Sequence, residues 1–188
     1  MSFLLLLALA FFQTSSPVRV LMETEAGEIE MEIDMTRAPI TAGNFLKYVD
    51  AGLYDGGRFH RTVTVNPDNQ PKNTVKIEVI QAAANAARRN EFLPVIPLER
   101  TSVTGIKHLD GVLSMARSDP DSARDGFFIC VGDQPSLDYG GARQPDGQGF
   151  AAFGRVVRGM DVVRKIHTSR AEEQTLAPSI RILRVTRK

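Results

Sequence analysis

The sequence predicts a mainly β fold, a closed β-barrel with two α-helices covering its ends. Three observations lead there. Apolar residues alternate at period 2 in many short stretches bounded by turn formers, the pattern of half-buried strands. Only two stretches show the 3.6-residue spacing of an amphipathic helix. No internal repeat or linker divides the 188 residues, a length of about one domain, and full closure is how a single antiparallel sheet removes its edges.

Taken in order, Phe3 to Phe12 form an unbroken apolar run. A helix of about ten residues covers about 15 Å, half of the roughly 30 Å hydrocarbon core, so the run does not span a membrane. It fits the apolar region of an export signal, with Gln13–Ser16 as a small, polar exit. Residues 1–16 are therefore expected to be a signal peptide and 17–188 the functional domain. A buried first strand or a lipid-surface anchor is the competing reading. Val18, Val20 and Met22 then alternate with Arg19, Leu21 and Glu23. After the turn at Ala26-Gly27, Ile29, Met31 and Ile33 alternate with Glu28, Glu30, Glu32 and Asp34. This is a β-hairpin with one buried face and one acidic, solvated face.

The first helix follows, from about Thr36 to Gly52. Pro39 suits its first turn and Gly52 its end. Ala42, Phe45, Leu46 and Val49 share one face. Strands are expected at Arg58–Val65, Val75–Ala82, Gly111–Ala116, Gly126–Val131, Ala151–Val157 and Ser179–Thr186. The second helix lies at Gly159–His167, with Val162, Val163 and Ile166 on one side. Three long loops remain: 66–74, 85–100 and the glycine-rich 138–149. Loops of such length in a compact domain are functional or mobile.

Composition excludes several functions. With 23 Lys+Arg against 22 Asp+Glu the formal charge is +1, so no bulk attraction to nucleic acid or anionic membrane is expected. Without tryptophan and with three tyrosines, stacking platforms for single-stranded nucleic acid are not expected. The lone Cys130, in an apolar strand, reads as a buried small hydrophobe. His60, His108 and His167 lack metal-ligand spacing, and Asp119, Asp121 and Asp125 lack a calcium-loop register, so no metal or cofactor is expected. Ser114, Ser122 and Ser136 lack a Gly-x-Ser-x-Gly elbow, which argues against a serine hydrolase.

A resemblance now enters on particular residues. Phe59-His60-Arg61, Gly111-Val-Leu-Ser-Met-Ala116, Phe127-Phe128-Ile129 and Phe153-Gly154-Arg-Val156 stand in the order and approximate spacing of the cyclophilin family. Ala38-Pro39-Ile-Thr-Ala-Gly-Asn44-Phe45 is similar to the family's first helix, and Gly159-Met160-Asp-Val-Val163 to its second. The resemblance runs from about Val18 to Arg187. It implies an eight-stranded antiparallel barrel capped by two helices, and peptidyl-prolyl cis-trans isomerase activity on proline-containing chains. It carries over Arg61 as the catalytic arginine, Gln81 as the active-site glutamine and Phe128 as the aromatic floor of the proline pocket. Val79, Leu137 and Phe150 fall at pocket positions, and Ala116 and Arg117 in the segment whose main chain pairs with substrate. His60, next to Arg61, is expected on the opposite strand face.

The chain departs from the family pattern at several places. Ala82-Ala83 replaces a Gly-Gly pair, Glu78 a pocket phenylalanine, Gly126 a polar residue, Phe150 a histidine and Ser136 a tryptophan. A turn needing positive φ would be strained at alanine. The alternative function is thus a catalytically weak module that binds proline-containing segments. Either way the chain is expected to act as a monomer, exported to the periplasm or beyond.

Overall fold

The computed structural model describes residues 17–188, so the expected leader at 1–16 lies outside the described residues. The first hairpin fixes which side of the sheet is inside. Strand β1 (Val18–Thr24) pairs antiparallel with β2 (Gly27–Ile33). Val20, Met22, Ile29, Met31 and Ile33 are fully buried, as alternation requires. On the outer face the glutamates are ion-paired rather than simply solvated. Arg19 holds Glu30 and Glu32, Arg155 holds Glu32, and Arg158 and Lys188 hold Glu30.

Helix α1 (Pro39–Asp50) starts on Pro39, whose missing N–H costs nothing in a first turn. It buries Ala42, Phe45, Leu46 and Val49. Strands β3 (Arg58–Val63) and β4 (Val79–Ala83) follow, then a single helical turn α2 (Thr101–Thr104), then β5 (Val112–Met115) and β6 (Phe127–Cys130). Next come β7 (Ala151–Arg158), helix α3 (Met160–His167), the two-residue β8 (Ala171–Glu172) and β9 (Thr175–Arg187). The pairing order is β1-β2-β7-β5-β6-β4-β3-β9, and β9 returns to β1. Eight antiparallel strands thus close a ring, with β8 paired to β9 outside it. Helix α1 begins where β2 ends. Helix α3 sits at the other end of β2, where Val162 approaches Gly27. Gly159 enters α3 at φ +92°, and a Cβ there would lie 2.2 Å from the Glu28 carbonyl oxygen; no other residue fits.

Three expected boundaries shift, two because a side chain takes the place of a neighbouring strand and one because an extra strand adds a pairing. β3 stops at Val63 because the Thr64 N–H donates to Asn69 Oδ1 at 2.9 Å. β4 starts at Val79 rather than Val75 because the Ile77 N–H donates to the side chain of buried Gln70 at 3.2 Å. The expected strand at Ser179–Thr186 extends back to Thr175 and forms a hairpin with β8. β8 is only two residues long and too short to show a period, so no alternation announces the hairpin.

Apolar side chains divide into two clusters. The barrel interior holds Phe45, Tyr54, Phe59, Phe127 and Phe153, with Val163 and Ile166 of α3. Phe45 packs against Tyr54, Phe153 and Phe127 at ring separations of 5.1, 5.2 and 5.5 Å. Such pairs add about 0.5–1.5 kcal/mol beyond area burial. The second cluster is Val63, Ile77, Val79, Phe128, Cys130 and Leu137 on the outside of the sheet, with Ala116 and Phe150 against it. The adjacent phenylalanines of β6 point to opposite faces, Phe127 into the interior and Phe128 into the outer cluster.

Candidate active site

The outer cluster is built by three neighbouring strands. In the β3–β4–β6 ladder, Arg61 pairs with Gln81 and Gln81 with Phe128. On β4, Val79 and Gln81 face outward while Ile80 and Ala82 enter the interior. On β3 the pairing slips between Phe59 and Arg61, which oppose the consecutive residues Ala82 and Gln81. His60 is the extra residue of this bulge. Strict alternation would have placed Arg61 on the same side as Phe59, in the core. The bulge sends Arg61 outward instead. His60 also lines the groove beside Arg61, which corrects the expectation that it faces away.

Arg61 is held from two sides. Its Nη1 donates to Gln81 Oε1 at 2.8 Å. Its Nε and Nη2 donate to Gln174 Oε1 at 2.9 and 2.5 Å. Gln174 is fixed in turn by donating from Nε2 to the Asn69 carbonyl at 2.9 Å. Burial, with a smaller contribution from the charge of Arg143, pulls the Arg61 guanidinium below its ordinary value. It remains charged at neutral pH, as arginine does in proteins. Sequence reading missed Gln174; it sits in the turn of the unannounced β8–β9 hairpin, more than a hundred residues from Arg61.

Phe128 is 4% exposed and has an aromatic ring on each side. Phe150 meets it edge-on at 5.4 Å, and the His108 imidazole stacks on it at 6.1 Å. His108 is locked by Asp138 Oδ1 at its Nδ1, 2.8 Å, and by Ser114 Oγ at its Nε2, 2.9 Å. Burial pushes the Asp138 carboxyl upward. Hydrogen bonds from His108 and the charges of His108 and Lys107 outweigh that and hold it below its ordinary value. The Ser114–His108–Asp138 line has the connectivity of a hydrolytic triad, yet Ser114 is fully buried. The line therefore fixes the Phe128 ring rather than attacking a substrate. No sequence spacing links these three residues, so the fold alone brings them together.

The remaining expected residues surround this core. Val79 and Leu137 are buried beside Phe128, and Ala116 and Phe150 are half-buried at the rim. The Arg117 side chain is 1% exposed. It donates to both carboxylate oxygens of Asp146, at 2.7 and 2.9 Å, and to the Gly149 carbonyl at 2.8 Å, while covering the Phe150 ring. With its guanidinium so engaged, only its main chain is left for the expected pairing with substrate. Gly149 has φ +66°, and a Cβ there would lie 2.5 Å from the Asp138 carbonyl carbon, so glycine is required where the 138–149 loop folds back. The departures at Ala82, Ala83 and Gly126 carry no strain. Among the described residues positive φ outside glycine occurs only at Asp121 and Glu173. A Cβ at Gly126 would meet Ala116 at an ordinary 3.5 Å. Next to Arg61, on the side away from Phe128, lies a groove of about 1050 Å³ between the 66–74 loop and the β8–β9 hairpin.

Among the described residues no cluster of His, Cys, Asp or Glu is arranged to hold a metal. No helix among them is long and apolar enough to cross a membrane. A charged donor fixed at the edge of an apolar floor, outside a closed antiparallel barrel, can hold a ring and polarise an amide beside it.

Comparison with known proteins agrees with this outline. The family described as cyclophilin type peptidyl-prolyl cis-trans isomerase/CLD matches residues 19–187. Peptidyl-prolyl cis-trans isomerase A of Dickeya dadantii (strain 3937) is 34% identical over 168 residues, covering 89% of this chain and 79% of that protein. A peptidyl-prolyl cis-trans isomerase of Acinetobacter baylyi is 38% identical over 146 residues, 77% of this chain and 69% of that protein. In shape, a cyclophilin type peptidyl-prolyl cis-trans isomerase of Cryptosporidium parvum matches at a TM-score of 0.71 and 17% identity, over 92% of this chain and 98% of that one. A second structure of that protein, solved in the presence of the dipeptide Ala-Pro, matches at 0.70 and 18% identity, over 89% and 97%. The chain belongs to the cyclophilin-type peptidyl-prolyl cis-trans isomerases, enzymes that rotate the bond preceding proline.

Proposed function

We propose that the outer face of β3, β4 and β6 carries this activity, with Arg61 stabilising the twisted amide and Phe128 seating the proline ring. The reaction breaks no bond. It must overcome amide resonance, a barrier of about 18–20 kcal/mol, which leaves uncatalysed isomerisation at tens to hundreds of seconds. A catalyst has to bind the twisted form better than either planar form. Twisting makes the proline nitrogen pyramidal and basic, and a fixed guanidinium donates to that nitrogen or to the adjoining carbonyl. Val79, Leu137 and Phe150 complete the apolar seat. Gln81 and the main chain of Ala116-Arg117 hold the residue before proline. The substrates are proline-containing polypeptides, and no metal or cofactor enters the scheme.

The observation that carries this reading is the double anchoring of Arg61 by Gln81 and Gln174 beside the Phe128 cluster. A hydrogen bond from a charged donor is worth about 1.5–3 kcal/mol, roughly ten- to 150-fold in rate at 1.36 kcal/mol per decade. Arg61→Ala is therefore expected to lower kcat/KM on a short X-Pro peptide by about ten- to 150-fold. Equal rates for the two proteins would remove Arg61 from the mechanism. Wild-type rates no faster than buffer would favour the non-catalytic binding module. We also assign residues 1–16 to an export leader, which places the domain in the periplasm or outside the cell, where it would assist folding of exported chains as a monomer.

A further inference from the structure

Arg143 is the one basic residue of the 138–149 loop, and its side chain reaches the segment that joins β3 to β4. Its N–H is anchored to the Ser136 carbonyl at 3.2 Å, next to Leu137 of the seat. Its Nη1 donates to Val75 O at 2.6 Å and to Gln70 Oε1 at 3.1 Å. Gln70 is itself buried and bonded to Ile77, another member of the outer cluster. The guanidinium thus lies along the rim between the Ser136–Leu137 turn and the segment joining β3 to β4.

Two features set it apart from a simple strut. Only one of its three nitrogens is used, and Nε and Nη2 have no partner among the described residues. Nor is its charge neutralised. The neighbouring carboxylates are committed elsewhere, Asp146 to Arg117, Asp138 to His108 and Lys107, and Asp68 to Lys76. Burial lowers the Arg143 guanidinium, and its charge in turn weighs on Arg61. Two half-buried guanidiniums, neither paired with a carboxylate among the described residues, therefore flank one apolar seat. An arriving anion meets them already partly desolvated, with donors free.

The position on the rim says which part of a substrate reaches it. Ala116 and Arg117 follow β5, whereas Gln70 and Val75 lie between β3 and β4, two ladder steps away through β6. With the residue before proline held at Ala116-Arg117, the chain after proline leaves over Arg143.

We propose that Arg143 is a specificity-determining residue whose free donors take the carboxylate of a Glu or Asp immediately following the proline. This rests on the isomerase reading of the same site. The test measures isomerisation by NMR exchange, without a coupling protease, on short peptides carrying Glu or Gln after proline, and Glu or Gln before it. For wild type the Glu/Gln ratio of kcat/KM after proline is expected to be about three- to fivefold, the range of a partly exposed ion pair. Before proline it is expected to be near one. Arg143→Ala brings the first ratio to near one, and Arg143→Lys, which keeps the charge but not the fork, retains part of it. Raising salt lowers the wild-type ratio. A wild-type ratio near one after proline, a ratio unchanged in Arg143→Ala, or one lost equally in Arg143→Lys would overturn the proposal. So would a preference confined to the residue before proline. Failure of the isomerase reading looks different, since then no peptide exchanges faster than in buffer.

Discussion

At the scale of single residues, Arg61 depends on a partner that no motif names. Gln174 accepts two of its donors and is itself tied to the 66–74 loop through Asn69. This makes Gln174 a positioning residue for the guanidinium. Gln174→Ala is expected to lower kcat by about three- to tenfold, the loss of part of one charged hydrogen bond's worth of orientation. KM and the melting midpoint should stay close to wild type. A matching rise in KM, or a fall in melting midpoint that accounts for the lost rate, would make Gln174 merely structural. Arg61 itself was legible in Phe-His-Arg, but its outward direction was not. A one-residue bulge reverses strand parity, and nothing in the side chains of Phe59 or His60 announces one.

At the scale of elements, the long 138–149 loop is a built part of the site. Gly149 turns it back, Arg117 ties Asp146 from beneath, and Phe150 emerges against Phe128. The side-chain hydrogen bond from Arg117, then the Gln148 N–H, hold the Asp146 carboxyl down at about 2 against an ordinary 3.8. A carboxyl lowered by folding contributes above its unfolded value and loses that contribution as pH falls through the folded one. Amide protection of Gly147 to Phe150 is therefore expected to fall between about pH 4 and about pH 2. In Asp146→Asn it should be lower and flat over the same range. Protection that falls equally in both proteins would assign the transition to other carboxyls. The first hairpin, α1 and α3 were readable because each buries one face at a fixed period. The β8–β9 hairpin was not, because β8 is only two residues long and too short to show a period.

At the scale of the whole molecule, the described residues 17–188 close the ring among themselves. β1 begins at Val18 and already has both neighbours, β2 and β9. The export leader proposed at residues 1–16 is tested on the exported protein. Mass spectrometry of the exported protein is expected to give a chain beginning near Pro17 or Val18; an intact Met1 on exported soluble protein would overturn the leader assignment. A formal charge of +1 is compatible with the proposed proline-containing polypeptide substrates, the proposed charge selection at Arg143 being local.

The sequence by itself determined the alternating strands, the two amphipathic helices and the buried Cys130, and through ordered motifs it named the arginine, glutamine and phenylalanine proposed for the site. Those features are written in residue type and local period, which a linear chain displays directly. Tertiary structure alone decided that Arg61 faces outward, that Gln174 and Gln81 share its guanidinium, that His108 and Asp138 brace Phe128, and that Arg143 lies along the rim. Each depends on ring closure and loop return, which bring together residues tens to more than a hundred positions apart, and such contacts leave no periodic trace in the chain.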